Sequence, residues 1–197
     1  SATGANNERL EFLGDAVLGM VIADFLYRGE TALSEGDLSR LRASLVNRDA
    51  LATAAQALDI GSAMQFGTGE LRSGGFRRRS VISDALEALI GAVYLDGGFT
   101  AAETFIHSVL ARELADLPDP QSLKDPKTRL QEVLQERGLG LPEYATLDVS
   151  GPAHKQMFHV ACRIPGLKLE AQALGASRRS AEQAAAEKIL EELNRAA

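Results

Sequence analysis

Apolar positions recur at intervals of three and four through the first part of the chain, the spacing that one face of a helix turns toward a core. Leu10, Leu13, Val17 and Met20 make one such face, and Asn6 or Asn7 can cap the helix that carries it, running to about residue 27. Ser34 with Asp37 can start a second helix covering 38 to about 58. A third is predicted over about 81–95, with Leu86, Leu89 and Val93 inward, and a fourth over about 101–114. Gly67-Thr68-Gly69 and Ser73-Gly74-Gly75 read as turns. With no strong alternating pattern before position 116, this part reads as all-α.

The period changes after a proline-rich stretch. Residues 116–127 hold Pro118, Pro120 and Pro126, three of the six prolines in the chain, and a helix cannot continue through them. A linker is therefore expected at 118–125, between a domain over 1–117 and one over 126–197. Beyond it, 128–137 is helical, and 144–149 and 158–164 alternate, with Phe158, Val160, Cys162 and Ile164 on one face. Residues 167–174 can form a third strand, and 180–194 is an alanine-rich helix. The predicted architecture is an all-α domain followed by a small α+β domain of order α-β-β-β-α.

Composition narrows the class. The chain of 197 residues is 45% hydrophobic, enough for proper cores, yet no run of 18 apolar residues argues for a membrane span. No basic segment followed by an apolar run opens it, so nothing suggests secretion. Cys162 is the single cysteine and can form no internal disulfide, which points to a reducing cytoplasm. The net charge of −6 hides an asymmetry: residues 1–120 carry a balance of −7 and residues 121–197 a balance of +1. Such a split suggests different tasks for the two parts.

The acidic excess is patterned. Glu8, Glu11 and Asp15 fall on one narrow stripe of the first helix, and Asp84 and Glu87 are again three apart in the third. Taken singly, either stripe is also what a solvated helix face looks like. If the two stripes meet, like charges about 4 Å apart repel by roughly 4 kcal/mol at an effective dielectric near 20. A divalent cation would relieve them, and carboxylate oxygens suit the hard ions Mg²⁺ and Mn²⁺. Such an ion can activate water toward a phosphodiester.

The segment Asn7-Glu8-Arg9-Leu10-Glu11-Phe12-Leu13-Gly14-Asp15-Ala16-Val17-Leu18 resembles the signature of the ribonuclease III family. Gly74-Gly75-Phe76-Arg77-Arg78, followed by Asp84-Ala85-Leu86-Glu87-Ala88-Leu89-Ile90-Gly91, is similar to that family's second block. The resemblance implies that Glu11, Asp15, Asp84 and Glu87 bind Mg²⁺, with Mn²⁺ as a substitute, and that Asp15 and Glu87 are catalytic. Glu8 and Glu35 match supporting acidic positions. It further implies a homodimer with one site per subunit that hydrolyses double-stranded RNA to 5′-phosphate and 3′-hydroxyl ends with short 3′ overhangs. Phe12, beside the carboxylate stripe, matches a residue that enters a socket of the other subunit. Processing of ribosomal, messenger and small RNAs is the expected role. The family carries further helices and a His-x-Ser-type stretch ahead of its signature, so the first domain is expected to lack its N-terminal part here. The basic run Arg77-Arg78-Arg79, with Arg72, could meet phosphate near the cut.

In the second domain Leu130, Val133 and Leu134 point inward, while Thr128, Gln131, Glu132 and Gln135 share the outer face. Hydrogen-bonding groups of this kind suit the shallow minor groove of A-form RNA. Gly151-Pro152-Ala153-His154 makes a tight loop that can present His154, and Ser177-Arg178-Arg179 opens the last helix with two cations beside free backbone N–H groups. Together these resemble the double-stranded RNA-binding domain, over Asp125 to about Leu193. The resemblance implies that Thr128, Gln131, Glu132, Gln135, His154, Ser177, Arg178 and Arg179 contact RNA. His159 is expected to be exposed, and His107 has no ligand companion.

An alternative is a non-catalytic double-stranded RNA-binding protein, against which all four motif carboxylates are intact. A carboxylate-bridged redox bundle is disfavoured because no Glu-x-x-His occurs.

Overall fold

A computed structural model describes residues 6–64 and 78–195. The chain divides into two units, Ser1–Leu123 and Lys124–Ala197. The first contains α1 (Glu8–Gly29), α2 (Glu35–Leu45), α3 (Arg48–Ala57), α4 (Ile60–Ala63), α5 (Arg79–Val109) and α6 (Ala111–Ala115). Glu8 and Glu11 sit in the first turn of α1 and Arg28 in its last, each sign at the end where the helix dipole favours it. Asn7 occupies the cap position without a side-chain bond, whereas Ser34 caps α2 by accepting from the Asp37 amide at 3.2 Å.

One helix boundary differs from the sequence expectation. The helix expected over 38–58 is two helices, because Asn47 leaves the helical region (φ −74, ψ 158) and accepts from the Ala50 amide, capping α3 anew. The third and fourth expected helices are both present, as two arms of α5 that break at Gly98, whose φ of 75 and ψ of −170 only glycine adopts readily. The turn lasts one residue, so no loop separates them. The expected turns around Gly67 and Gly74 lie outside the described residues.

Leu18, Ile22 and Leu26 of α1 pack with Leu41, Leu45, Leu51, Leu86, Ile90 and Ile106 in one core. Leu117 and Leu123 also pack against it, so the proline-rich stretch is partly anchored to the first unit. By length and composition α5 could cross a membrane, but Ile82, Leu86, Ile90, Ala102 and Ile106 face this core. Met20 and Leu89, expected inward, are 62% and 40% exposed. The apolar surface of α1 is wider than one stripe: Phe12, Met20 and Tyr27 share a second, uncovered line.

The closest approach in the unit is between α1 and α5. A Cβ built on Gly14 would lie 1.7 Å from the Glu87 carbonyl oxygen, and one on Gly91 would lie 2.3 Å from the Leu10 carbonyl oxygen. The two helices therefore touch backbone to backbone, which only glycine at both positions permits.

The second unit contains α7 (Pro126–Glu136), β1 (Glu143–Ser150), β2 (Met157–Ile164), β3 (Leu169–Gly175) and α8 (Arg178–Arg195). Pro126 stands at the start of α7, where its missing N–H costs nothing, and Asp125 caps it. The strands form an antiparallel sheet in the order β1-β2-β3, with a register shift between Thr146 and Asp148. Leu130 and Leu134 of α7, Cys162 and Ile164 of β2, and Ile189, Leu190 and Leu193 of α8 make the core. Full burial of each leucine or isoleucine contributes about 2 kcal/mol. Ala181 and Ala185 are fully buried, and a Cβ on Gly175 would meet the Ala181 amide at 2.4 Å, so α8 lies tightly on the sheet. His159, expected exposed, is half-buried; it pairs with Asp148 on one side and Leu174 on the other.

Replacing Gly14 by alanine is expected to lower folding stability by about 3 kcal/mol, because the α1–α5 contact must open. Gly19→Ala, where a Cβ meets nothing within 4 Å, should instead raise it by roughly 0.5–1 kcal/mol. Denaturant titration of both variants checks the contrast.

Candidate metal centre and nucleic-acid interface

The glycine crossing sets the geometry of the acidic groups. Glu11 precedes Gly14 by three residues, and Glu87 precedes Gly91 by four, so both carboxylates stand beside the point where the helices touch. One oxygen from each of Glu11, Asp84 and Glu87 lies within 4.8 Å of the others, and all three residues are half-buried. Ligand oxygens of an octahedral Mg²⁺ stand about 3–4 Å apart, given metal–oxygen distances near 2.1 Å. Small side-chain rotations would bring these three onto one ion. The donors are all carboxylate oxygen, with no histidine or cysteine, so the set fits a hard cation.

Electrostatics agree with the geometry. Burial, then the charges of Asp15, Asp84 and Glu11, push the Glu87 carboxyl up to about 7, while Arg48 works against them. Glu11 is raised as well, by burial first and then by Asp84, Glu8 and Asp15. Asp15, exposed one turn beyond Glu11, lies outside the tight group of three but is the strongest neighbouring charge on Glu87. Glu8 is exposed at the helix start and acts on Glu11. Glu35 is elsewhere. It accepts from Ser39 at 2.8 Å and lines a cavity of about 500 Å³ with Met20, Asp24, Tyr27 and Arg42.

Other residues complete the centre without having been singled out by spacing. Ser83 is 2% exposed; its hydroxyl donates to the Ser80 carbonyl at 2.8 Å and lies 3.3 Å from Asp84 Oδ1. Arg48 opens α3, an unfavourable place for a cation at a helix N-terminus, and that misfit was a legible signal. Within the basic run, Arg79 is engaged: its guanidinium donates to Asp49 Oδ1 at 2.7 Å, to the Asp49 carbonyl and to Thr53. It ties α5 to α3 while its side chain stays exposed. Arg78 is exposed, and Arg72 and Arg77 lie outside the described residues.

In the second unit Thr128, Gln131 and Gln135 are exposed on α7, and His154 is exposed in the β1–β2 turn closed by the Lys155 amide on the Pro152 carbonyl. Glu132, expected among them, is half-buried and accepts from Lys124 at 2.7 Å. Ser177 is occupied by capping. Its hydroxyl accepts from the Ser180 amide, and Ser180 returns the bond to the Ser177 amide at 3.0 Å. Arg178 and Arg179 are exposed at the entry to α8, yet each touches a carboxylate, Glu182 at 2.9 Å and Asp125 at 3.5 Å. Burial alone would raise Glu182, but hydrogen bonds from Lys127 and Arg178 outweigh it and hold the group below its ordinary value. Asp125 behaves alike, lowered by bonds from Gln183, the Lys127 amide and Arg179 against its burial.

Residues 1–114 match the family model described as Ribonuclease-III-like, and residues 126–193 match the double-stranded RNA binding motif. The ribonuclease 3 of Alkalilimnicola ehrlichii is 52% identical over 193 residues, covering 98% of this chain and 85% of that protein. The ribonuclease 3 of Vibrio cholerae is 49% identical, covering 98% and 86%. Among solved structures, the nuclease domain of ribonuclease III from Campylobacter jejuni, described with structural flexibility in a region involved in dimer formation, is 42% identical with a TM-score of 0.56. That match covers 58% of this chain and 80% of the other. Fold, site and matches together define the class, a helical ribonuclease domain followed by a double-stranded RNA-binding domain. The chain belongs to the ribonuclease III family.

The raised Glu87 carboxyl has a thermodynamic consequence. Its pKa is about 7 in the folded chain against an ordinary 4.5, so between those values the folded state binds the extra proton. Stability from this group is full below about pH 4.5 and falls as the pH rises toward 7. Metal-free melting temperatures should therefore drop between about pH 5 and about pH 8, less so in Glu87→Gln. Added divalent cation should raise the melting temperature more at the higher pH.

Proposed function

We propose that this chain is a divalent-metal-dependent endonuclease of double-stranded RNA that works as a homodimer. The observation that carries the reading is the gathering of Glu11, Asp84 and Glu87 within 4.8 Å in a chain that also carries a double-stranded RNA binding motif. In this reading those three residues and Asp15 hold Mg²⁺, or Mn²⁺ in its place. When bound, the ion supplies Lewis acidity toward a phosphodiester oxygen and lowers the pKa of water. Asp15 and Glu87 are the catalytic pair: Glu87 belongs to the half-buried group of three, and Asp15 stands exposed one turn beyond Glu11. Glu8 and Glu35 support from the periphery. The products are 5′-phosphate and 3′-hydroxyl ends with short 3′ overhangs.

The work divides along the chain, with the nuclease over 1–117, a connector at 118–125 and the RNA-binding domain over 126–197. Thr128, Gln131, Glu132, Gln135, His154, Ser177, Arg178 and Arg179 form the RNA-facing set, reading the shape of the A-form duplex more than its sequence. Ribosomal, messenger and small RNA maturation in the cytoplasm is the role this chemistry serves, and the single buried thiol Cys162 suits that compartment. Dimerisation is supported by the uncovered apolar line on α1, where Phe12 is 80%, Met20 62% and Tyr27 74% exposed. Large apolar side chains left in water side by side mark an interaction surface.

Glu87→Gln is expected to reduce Mg²⁺-dependent cleavage of a long RNA duplex by at least about a hundredfold while leaving duplex binding intact. Full cleavage by that variant refutes the assigned role, and a wild-type chain that binds without cutting is a binding protein only. Phe12→Glu should give a monomer by light scattering with an unchanged helical spectrum, losing the burial of an aromatic side chain on each side, about 2–3 kcal/mol apiece.

A further inference from the structure

The RNA-binding unit holds a carboxylate that faces inward at the very helix entry expected to meet phosphate. Glu182 lies one turn into α8 and is 8% exposed. Its two oxygens are divided between helices: Oε1 accepts from Arg178 Nε at 2.9 Å, and Oε2 accepts from Lys127 Nζ of α7 at 2.6 Å. Lys127 in turn lies 4.4 Å over the Tyr144 ring, so its charge is directed into the domain and not toward a ligand. A second carboxylate makes the reciprocal crossing. Asp125, the cap of α7, accepts from Gln183 and Arg179 of α8. The entries of the two helices that carry the expected RNA contacts are thereby tied twice.

The atom used on Arg178 matters. Glu182 takes Nε, the Arg178 side chain stays 65% exposed, and among the described residues Nη1 and Nη2 have no partner, so they can meet an outside acceptor. A guanidinium held by one edge can present the other as a planar fork, the arrangement that matches phosphate. The guanidinium end of the pair is exposed, so its effect there is on orientation more than on stability.

We propose that Glu182, itself held by Lys127 of α7, is a positioning residue for RNA binding: it fixes Arg178 so that its terminal nitrogens meet a backbone phosphate. This rests on the reading that the second unit binds double-stranded RNA. It also reverses the sign that charge alone gives, since removing a negative group beside a polyanion would otherwise tighten binding.

The test uses the full chain and a radiolabelled RNA duplex, with Ca²⁺ in place of Mg²⁺, titrated at several salt concentrations. Glu182→Gln is expected to weaken binding about tenfold, the worth of one charge-assisted hydrogen bond. Arg178→Ala should weaken it similarly and reduce the slope of log affinity against log salt by about one. Placed in the Arg178→Ala background, Glu182→Gln should have a much smaller effect, because the group it positions is gone. Glu182→Asp, too short to reach both partners, should behave like Glu182→Gln, with melting curves confirming that both variants are folded. Tighter or unchanged binding by Glu182→Gln overturns the proposal, as does an equal loss in both backgrounds. A wild-type chain that fails to bind the duplex overturns the underlying reading instead.

Discussion

The backbone contact between α1 and α5 is the constraint on which the candidate metal centre depends. Three carboxylates on two helices come within 4.8 Å of one another beside a point where the helix backbones touch, an approach that Gly14 and Gly91 allow. The charges themselves oppose it: two carboxylates at that distance repel by about 3 kcal/mol at an effective dielectric near 20. What holds them is the apolar packing directly behind the crossing, where Leu18 and Ile22 meet Leu86 and Ile90. Each of those side chains contributes about 2 kcal/mol by burial, which outweighs the repulsion. The same helices thus present a core on one side and an acidic cluster on the other, and the first makes the second possible.

Much of this was legible. The spacing of Glu8, Glu11 and Asp15, and of Asp84 and Glu87, is local information, as is the change from helical to alternating period after the prolines. The meeting of the two stripes is not local, since spacing within a helix says nothing about which helix it crosses or where. Gly14 and Gly91 carried that signal inside the quoted motifs, and it is readable only once the helices are paired. The break at Asn47 was missed because an asparagine cap competes with helix through one side-chain bond, invisible to an apolar period that continues across it. Met20 and Leu89 were misassigned for the opposite reason. Their apolar character is real, but the inward face of each helix is narrower than its apolar face, and the excess lies on the surface.

Charge was the least transparent property of the sequence. Arg79 and Ser177 stand by position where a phosphate could be met, and each also has an internal partner: Arg79 binds Asp49 and Thr53, and Ser177 caps α8. Each polar group had an internal partner too distant in sequence, or too dependent on conformation, to be counted beforehand. Arg178 differs because its partner Glu182 occupies one edge of the guanidinium and leaves the other. A basic residue at a helix entry is therefore not one kind of feature, and which nitrogen is engaged decides whether it can still serve a ligand.

The direction in which each carboxyl is displaced separates two classes of acidic group in this protein. Asp37, Asp125, Glu170 and Glu182 are all held below their ordinary values by hydrogen bonds from named donors: Ser34 and Arg40; Gln183, the Lys127 amide and Arg179; Arg163 and Gln172; Lys127 and Arg178. They are satisfied within the chain, and their role is structural or positional. Glu11 and Glu87 are displaced the other way, by burial and by one another's neighbours, and the partial relief from Arg48 leaves Glu87 near 7. A fold that assigns hydrogen-bond partners to its other displaced carboxyls leaves these two in want of positive charge, at a place where glycine lets two helices touch. Groups raised in this way are relieved by a proton or by a cation from outside the chain, and a hard divalent cation has the charge and oxygen preference to match them.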